Sequence, residues 1–111
     1  MTKLEILKQY FGHEKFRSGQ EDIIDNILSG KDVLGIMPTG AGKSVCYQVP
    51  AMLMDGITIV ISPLISLMKD QVRSLTESGI PSAYINSSLS YRQLREVFKR
   101  AAEMQYKIIY V

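Results

Sequence analysis

Short apolar runs alternate with segments of helical periodicity, and this alternation limits the possible folds more than any other feature of the sequence. Four runs are apolar or β-branched at most positions, as strands buried on both faces are. They lie at 32–37, 57–61, 82–85 and 107–111. The segments between them place apolar residues three and four positions apart and connect through a few residues. We therefore expect an α/β fold, a parallel sheet covered by helices on both faces.

Three of the predicted helices begin with a capping box, in which a hydroxyl residue is followed three positions later by Glu or Gln. The pairs are Thr2 with Glu5, Ser18 with Glu21 and Ser90 with Gln93. Glycine favours the left-handed backbone of a helix C-terminus, so the first two helices are expected to end at Gly12 and Gly30. The third is expected to bury Leu94, Val97, Phe98 and Ala101.

Two further helices contain or follow a proline. One is predicted from Lys43 to Met54, with Pro50 either kinking it or ending it early. The other is predicted to have Ser62 as its N-cap and Pro63 at its first position, and to end at Gly79. Its expected buried stripe consists of Leu64, Leu67, Met68, Val72 and Leu75.

Composition excludes several classes of protein. The chain has 111 residues, 46% hydrophobic and 22% charged, which is ordinary for one globular domain. Its longest apolar stretch, 57–68, is interrupted by polar residues and is too short to span a bilayer. Charges within residues 1–11 argue against a signal peptide, so a cytoplasmic location is expected, or a nuclear one in a eukaryote. One cysteine and one histidine exclude an internal disulfide and a structural metal cluster, and a net charge of +2 does not by itself indicate nucleic acid.

The strongest chemical signal is MPTGAGKS, residues 37–44, between a predicted strand and a predicted helix. Backbone N–H groups of such a loop curl around a phosphate, and small residues leave the room for it. Lys43 is expected to reach the β and γ phosphates, and Ser44 to ligate Mg²⁺. The other expected nucleotide-binding residues are Thr39, Gly40, Ala41 and Gly42. The loop has Met37 where the GxxxxGK template has glycine, and the alternative is a glycine-rich turn with a solvated lysine.

Polar residues on either side of the loop suggest further contacts. His13, Arg17 and Gln20 are groups that can sandwich and read an adenine, although each also suits a surface turn or a helix start. Downstream, residues 62–69 offer hydroxyls, a lysine and the backbone N–H groups of a predicted helix N-terminus, which can bind phosphates without contacting base edges. The alternative is a solvated helix face. Asn86 lies in a second polar loop after a predicted strand, where open α/β sheets bind ligands.

Together these segments closely resemble the RecQ family of DNA helicases, within superfamily 2, over nearly the whole chain. FGHEKFRSGQ is similar to the family's adenine-recognition motif, MPTGAGKS to its Walker A loop, and SPLISLMKDQV to its motif Ia. The resemblance implies a RecA-like P-loop NTPase fold, adenine stacking by His13 and Arg17, and adenine-edge hydrogen bonds from Gln20. The single-stranded DNA contacts that it implies are Ser62, Pro63, Ser66, Lys69 and Asn86.

The resemblance also implies what the chain is part of. It corresponds to a truncated first RecA-like motor domain, with residues 1–30 as the adenine-recognition segment and 31–111 as the P-loop core, cut before the DExH box. The expected parent is an ATP- and Mg²⁺-dependent 3′–5′ DNA helicase that acts on single-stranded and partly duplex DNA in repair and recombination. Lys43 is its expected catalytic residue, and the isolated piece is expected to be inactive. The alternatives are another P-loop NTPase or small-molecule kinase, and a non-enzymatic nucleotide-binding module.

Overall fold

The computed structural model describes residues 1–38, 40 and 42–111, which form two compact units, 1–55 and 56–111. The first unit contains the helices α1 (Lys3–Phe11), α2 (Gln20–Leu28) and α3 (Val45–Leu53). The second unit contains β1 (Thr58–Val60), α4 (Ile65–Glu77), β2 (Ser82–Tyr84), α5 (Tyr91–Ala102) and β3 (Ile108–Tyr110). None of the helices in the described parts of the chain is long and apolar enough to cross a membrane.

The three helices of the first unit pack around one apolar cluster. Its buried members are Ile6, Leu7, Ile24, Val45 and Val49. The half-buried rings of Phe11 and Phe16 pack against them. A charged contact adds to this core: the Lys3 ammonium lies 2.6 Å from Asp25 and 2.9 Å from Glu21, so α1 is tied to α2. Hydrogen bonds to these carboxylates, that of Asp25 first, raise the pKa of Lys3.

The predicted start of α1 is confirmed and that of α2 is wrong. The hydroxyl of Thr2 accepts from the Glu5 N–H, while the Thr2 N–H donates to the Glu5 carboxylate and lowers its pKa. Helix α2 instead has Gly19 as its N-cap, at a φ of 87°, and no side chain caps it. Ser18 fails as a cap because the Gln20 side chain closes this turn, accepting a hydrogen bond from the Arg17 N–H at 2.7 Å.

Helix α3 continues through Pro50, so the proline neither ends nor shortens it before Leu53. A proline inside a helix removes one backbone hydrogen bond and costs about 3 kcal/mol. This helix recovers that cost by burial, because six of its nine residues are buried, Pro50 among them. Its first residue is Val45, two positions later than Lys43, the predicted start.

The strand predicted at 32–37 is wrong, since this segment is irregular. Leu34 and Ile36 are each 87% exposed. A strand needs a neighbouring strand to accept and donate its backbone hydrogen bonds. The described residues of the first unit form helices and connecting segments only, so 32–37 has no strand within its unit with which to pair.

The other three predicted strands form the parallel sheet of the second unit, in the order β1-β3-β2. Ile109 lies opposite Ile59 on one side and Ala83 on the other. All three residues of β3 are buried, so both faces of the sheet are covered at its centre. The chain crosses from β1 to β2 through α4 and returns through α5 to β3, which lies between the other two strands. The predicted α/β architecture is therefore confirmed.

Helix α4 starts later than predicted. Leu64 is its N-cap and Ile65 its first residue, so Ser62 is not the N-cap and Pro63 precedes the helix. Leu64 has extended backbone angles, φ −111° and ψ 101°, so helical backbone begins only at Ile65. The Ser62 hydroxyl accepts the Leu64 N–H at 3.4 Å within the preceding turn. Met68 and Leu75 are buried as expected, whereas Leu64 and Leu67 are about half exposed.

Helix α5 begins as predicted, with both halves of the Ser90–Gln93 capping box present. Its apolar side is less covered than predicted. Leu94, Val97 and Ala101 are half-buried, and Phe98 is 55% exposed. The prediction that Phe98 lies on the inner face is therefore wrong, because it falls at the edge of the apolar stripe rather than at its centre.

Candidate nucleotide-binding site

The glycine-rich loop connects the irregular 32–38 segment to α3. Gly40 and Gly42 have φ values of 85° and 78°, in the left-handed region that side chains other than glycine's adopt at a cost. Two predicted nucleotide-binding residues, Thr39 and Ala41, lie outside the described residues. Glycine adopts these two backbone conformations without the strain that a Cβ atom would bring.

Two of the residues predicted to read adenine contact the backbone of this loop. Arg17 donates from Nη1 to the Gly40 carbonyl oxygen at 2.6 Å. Gln20 donates from Nε2 to the Gly42 carbonyl oxygen at 3.0 Å. The sequence places these residues more than twenty positions before their partners, and the packing of α2 beside α3 brings them together.

Gln20 is the best anchored residue of the site. It is 3% exposed, and both polar atoms of its side-chain amide form hydrogen bonds. Oε1 accepts from the Arg17 N–H, and Nε2 donates to the Gly42 carbonyl oxygen. The C=O and N–H of a trans peptide point in opposite directions, so the Lys43 N–H points away from Gln20. Gln20 thereby fixes the direction of the Lys43 N–H.

The Gln20 amide also restricts the residue at position 42. A Cβ atom on Gly42 would lie 2.5 Å from Gln20 Nε2, closer than real Cβ contacts come. At Gly40 an added Cβ would have no heavy atom within 4 Å. Gly42 is thus required both for its backbone conformation and for the close approach of Gln20.

His13 is exposed in the turn after α1, where its backbone N–H donates to the Leu7 carbonyl at 3.4 Å. The structure therefore brings Arg17 and Gln20 to the loop, whereas the His13 ring lies at the surface of the same unit.

Lys43 lines a hollow of about 160 Å³. The other described residues around it are mostly apolar: Ile23, Ile27, Val33, Gly35, Met37, Cys46 and Tyr47. Ser44 is half-buried and immediately precedes α3, at the helix end whose N–H groups attract anions. Such a volume admits a phosphate-sized group rather than a whole nucleotide, for which pockets of about 300 Å³ or more are usual.

Cys46 is a member of this site that sequence reasoning missed. Its sulfur lies 3.7 Å from the Met37 sulfur and 4.0 Å from the Gly42 carbonyl oxygen. Burial raises the pKa of the Cys46 thiol, which favours an unreactive, protonated side chain. The contact also gives Met37 a packing role. The sequence did contain a signal for Cys46: it follows Gly42 by four positions, about one helical turn, which places the two residues close together.

The residues predicted to bind DNA all belong to the second unit. Ser62 follows β1 and Asn86 follows β2, so both lie at the carboxyl edge of the parallel sheet. Pro63, Ser66 and Lys69 are exposed at and beyond the start of α4.

Asn86 is held in place by its own contacts. Its Nδ2 points to the Met68 sulfur at 3.5 Å, and its Oδ1 accepts from the Ser88 N–H at 2.9 Å. The structure thus fixes the loop after β2 against α4, whereas Ser66 and Lys69 extend into solvent.

Comparisons with known proteins identify the family of this chain. The family model for DEAD/DEAH box helicases matches residues 17–111. The chain is 50% identical over 110 residues, 99% of its length, to the ATP-dependent DNA helicase RecQ of Haemophilus influenzae. It is 52% identical over 107 residues to RecQ of Bacillus subtilis, and 46% identical over 112 residues to the probable ATP-dependent DNA helicase RecS of the same organism. It spans 18% of each RecQ and 22% of RecS, about a fifth of these curated relatives.

Proposed function

The chain belongs to the DEAD/DEAH box helicase family, and from this premise we propose that it is part of an ATP-dependent DNA helicase of the RecQ type. The whole protein would translocate 3′ to 5′ on single-stranded DNA and open partly duplex DNA during repair and recombination. About 50% identity to proteins named ATP-dependent DNA helicase RecQ supports this assignment. Within the parent, we place the chain in the first RecA-like motor domain, with 1–30 serving adenine recognition and 31–111 forming the P-loop core.

The observation that carries the proposal is the pair of hydrogen bonds from Arg17 and Gln20 to the carbonyls of Gly40 and Gly42. These bonds join the adenine-recognition segment to the phosphate loop. In this proposal His13 and Arg17 stack on the adenine and Gln20 bonds its edge. Thr39, Gly40, Ala41 and Gly42 cradle the phosphates.

Lys43 is the catalytic residue of the proposal, because its ammonium neutralises charge on the β and γ phosphates. Ser44 supplies one hydroxyl oxygen, a ligand type that Mg²⁺ prefers. Among the described residues no three His, Cys, Asp or Glu side chains form a metal-binding group. An ion held at Ser44 would therefore take most of its other ligands from ATP phosphates and water, as Mg²⁺ commonly does.

The DNA-binding part of the proposal lies at the carboxyl edge of the sheet. Ser62, Ser66 and Lys69 offer hydroxyls and one cation beside the first turns of α4, and Pro63 shapes the turn that leads into it. Asn86 contributes from the loop after β2. Such groups suit phosphates and sugars rather than base edges, as a helicase that moves along any sequence requires.

ATPase activity of the full-length protein, with and without single-stranded DNA, tests this function. We expect stimulation by DNA, and Lys43→Ala should lower the turnover by about 100-fold or more. The matched control is Lys31→Ala, which removes an exposed lysine outside the loop and should leave turnover unchanged.

Other outcomes would reject the proposal. Turnover that depends on Lys43 but ignores DNA would indicate another P-loop NTPase or a small-molecule kinase. Nucleotide binding without any turnover would indicate a non-enzymatic module.

A further inference from the structure

Helix α5 carries the positive charge of this chain. It holds four cationic side chains, Arg92, Arg95, Lys99 and Arg100, against the single carboxylate of Glu96, a net charge of +3. The whole chain carries +2, so everything outside α5 sums to −1. A surface function that depends on positive charge is therefore best sought on this helix.

Three of the four cations share one face. Arg92, Arg95 and Lys99 are spaced by three and four residues, which aligns them along a helix, and all three are exposed. Glu96 does not neutralise them, since it pairs with Arg100 at 2.9 Å. Across the part of the chain that the structure describes, none of the three takes part in an ion pair.

Aromatic rings accompany these cations. The Arg95 guanidinium lies over the Tyr91 ring, 5.7 Å from its centroid, and Tyr91 is 76% exposed. Phe98, two turns further on, is 55% exposed. Exposed rings beside a row of cations are the combination that binds single-stranded nucleic acid, through stacking and phosphate contacts.

We propose that Tyr91, Arg92, Arg95 and Lys99 form a DNA-binding surface, here called the α5 basic face, that contacts the phosphates of a single strand. It is additional to the DNA contacts proposed at Ser62–Lys69 and Asn86, and it rests on the proposed helicase function. The three cations extend about 10 Å along the helix, so each can contact a different phosphate of one strand. Arginine suits this role because its planar fork bonds phosphate oxygens in pairs.

The salt dependence of DNA binding by the full-length protein tests the α5 basic face. The probe is a fluorescein-labelled oligothymidylate, followed by anisotropy at several NaCl concentrations. Removing three phosphate contacts in Arg92→Gln/Arg95→Gln/Lys99→Gln should reduce the slope of log K against log salt by about 2. Affinity at low salt should fall about tenfold or more, whereas ATPase activity without DNA should not change.

Two matched variants separate the surface from general charge effects. Lys8→Gln/Lys15→Gln/Lys31→Gln removes the same net charge elsewhere and should keep the wild-type slope. Arg92→Lys/Arg95→Lys keeps the charge and should retain the slope with a smaller loss of affinity. If the triple variant at α5 folds poorly by circular dichroism, Arg95→Gln alone should still lower the slope by about 0.7.

The outcomes discriminate between this inference and the proposed function. Wild-type binding and stimulation by DNA, combined with an unchanged slope in the α5 variants, would overturn the inference alone. An equal loss in the control variant would also overturn it, because net charge rather than position would then explain the effect. A wild-type protein that neither binds DNA nor responds to it would overturn both proposals.

Discussion

Gln20 Nε2 donates to the carbonyl oxygen of Gly42 at 3.0 Å, joining the start of α2 to the loop that precedes α3. The same amide accepts the Arg17 N–H through Oε1. Oε1 keeps a second lone pair and Nε2 a second N–H, so an adenine that bonds Gln20 would share this side chain with Gly42 and Arg17. In the proposed function, the shared side chain couples adenine binding to the phosphate loop.

Replacing Gln20 should weaken both the fold and nucleotide binding. Gln20→Ala leaves the Arg17 N–H and the Gly42 carbonyl without their side-chain partner, at a cost of about 1–3 kcal/mol. Gln20→Glu should cost more, because it places a carboxylate oxygen against the Gly42 carbonyl in a buried position. Titration of the full-length protein with a fluorescent ATP analogue should show a loss of affinity of about tenfold or more. Gln9→Ala, at an exposed position of α1, is the control, and an equal effect there would contradict the prediction.

The two loop glycines should respond differently to alanine. Both have positive φ values, so each substitution carries a backbone cost of about 1–2 kcal/mol. Only at Gly42 does the new Cβ also displace Gln20 Nε2, which lies 2.5 Å from it. We therefore expect Gly42→Ala to lower the free energy of unfolding more than Gly40→Ala, by about 1–3 kcal/mol. Urea unfolding of both variants measures this difference, and equal losses would show that Gln20 adapts without cost.

The helix caps give a prediction with an internal control. Ser90→Ala should destabilise the protein by about 1 kcal/mol, because its hydroxyl accepts the Gln93 N–H. Ser18→Ala should change stability by less than about 0.5 kcal/mol, since Gly19 rather than Ser18 is the N-cap of α2. Denaturant unfolding of the two variants tests this ranking. A larger loss of stability at Ser18 would indicate that Ser18 caps α2, as the sequence pattern predicted, and would contradict this prediction.

The Cys46 thiol should react slowly in the folded chain. Burial raises its pKa, so the thiolate fraction at neutral pH is lower than in the unfolded chain, and access is restricted as well. Alkylation by iodoacetamide should be slower by about tenfold or more than in urea. The rate should rise at a higher pH in the folded than in the unfolded chain. Mass spectrometry at several pH values measures both rates, and rapid alkylation of the folded chain would contradict the prediction.

The elements that the sequence predicted correctly depend on neighbours in the chain. Thr2 with Glu5 and Ser90 with Gln93 form their capping boxes because each pair lies within one helical turn. The runs at 57–61, 82–85 and 107–111 supply the three strands, since residues apolar on both faces suit a covered parallel sheet. The strand pattern also predicted that polar residues directly follow two of the strands, β1 and β2.

The remaining features required contacts between distant parts of the chain. The 32–37 run has the composition of a strand, yet the described part of its unit offers it no strand to pair with. Ser18 has the pattern of a cap, yet Gln20 closes the turn in its place, and the Gln20 side chain is held there by its bond to Gly42, 22 positions further on.

By itself, the sequence determined the glycine-rich loop, its lysine and hydroxyl, and the family that these residues indicate. These residues are adjacent in the chain, so the motif can be identified without knowledge of the fold. Only the tertiary structure decided that Arg17 and Gln20 donate hydrogen bonds to the loop carbonyls of Gly40 and Gly42. The reason is physical: capping and periodicity act within one or two turns of chain, whereas these contacts exist only after α2 and α3 have packed together.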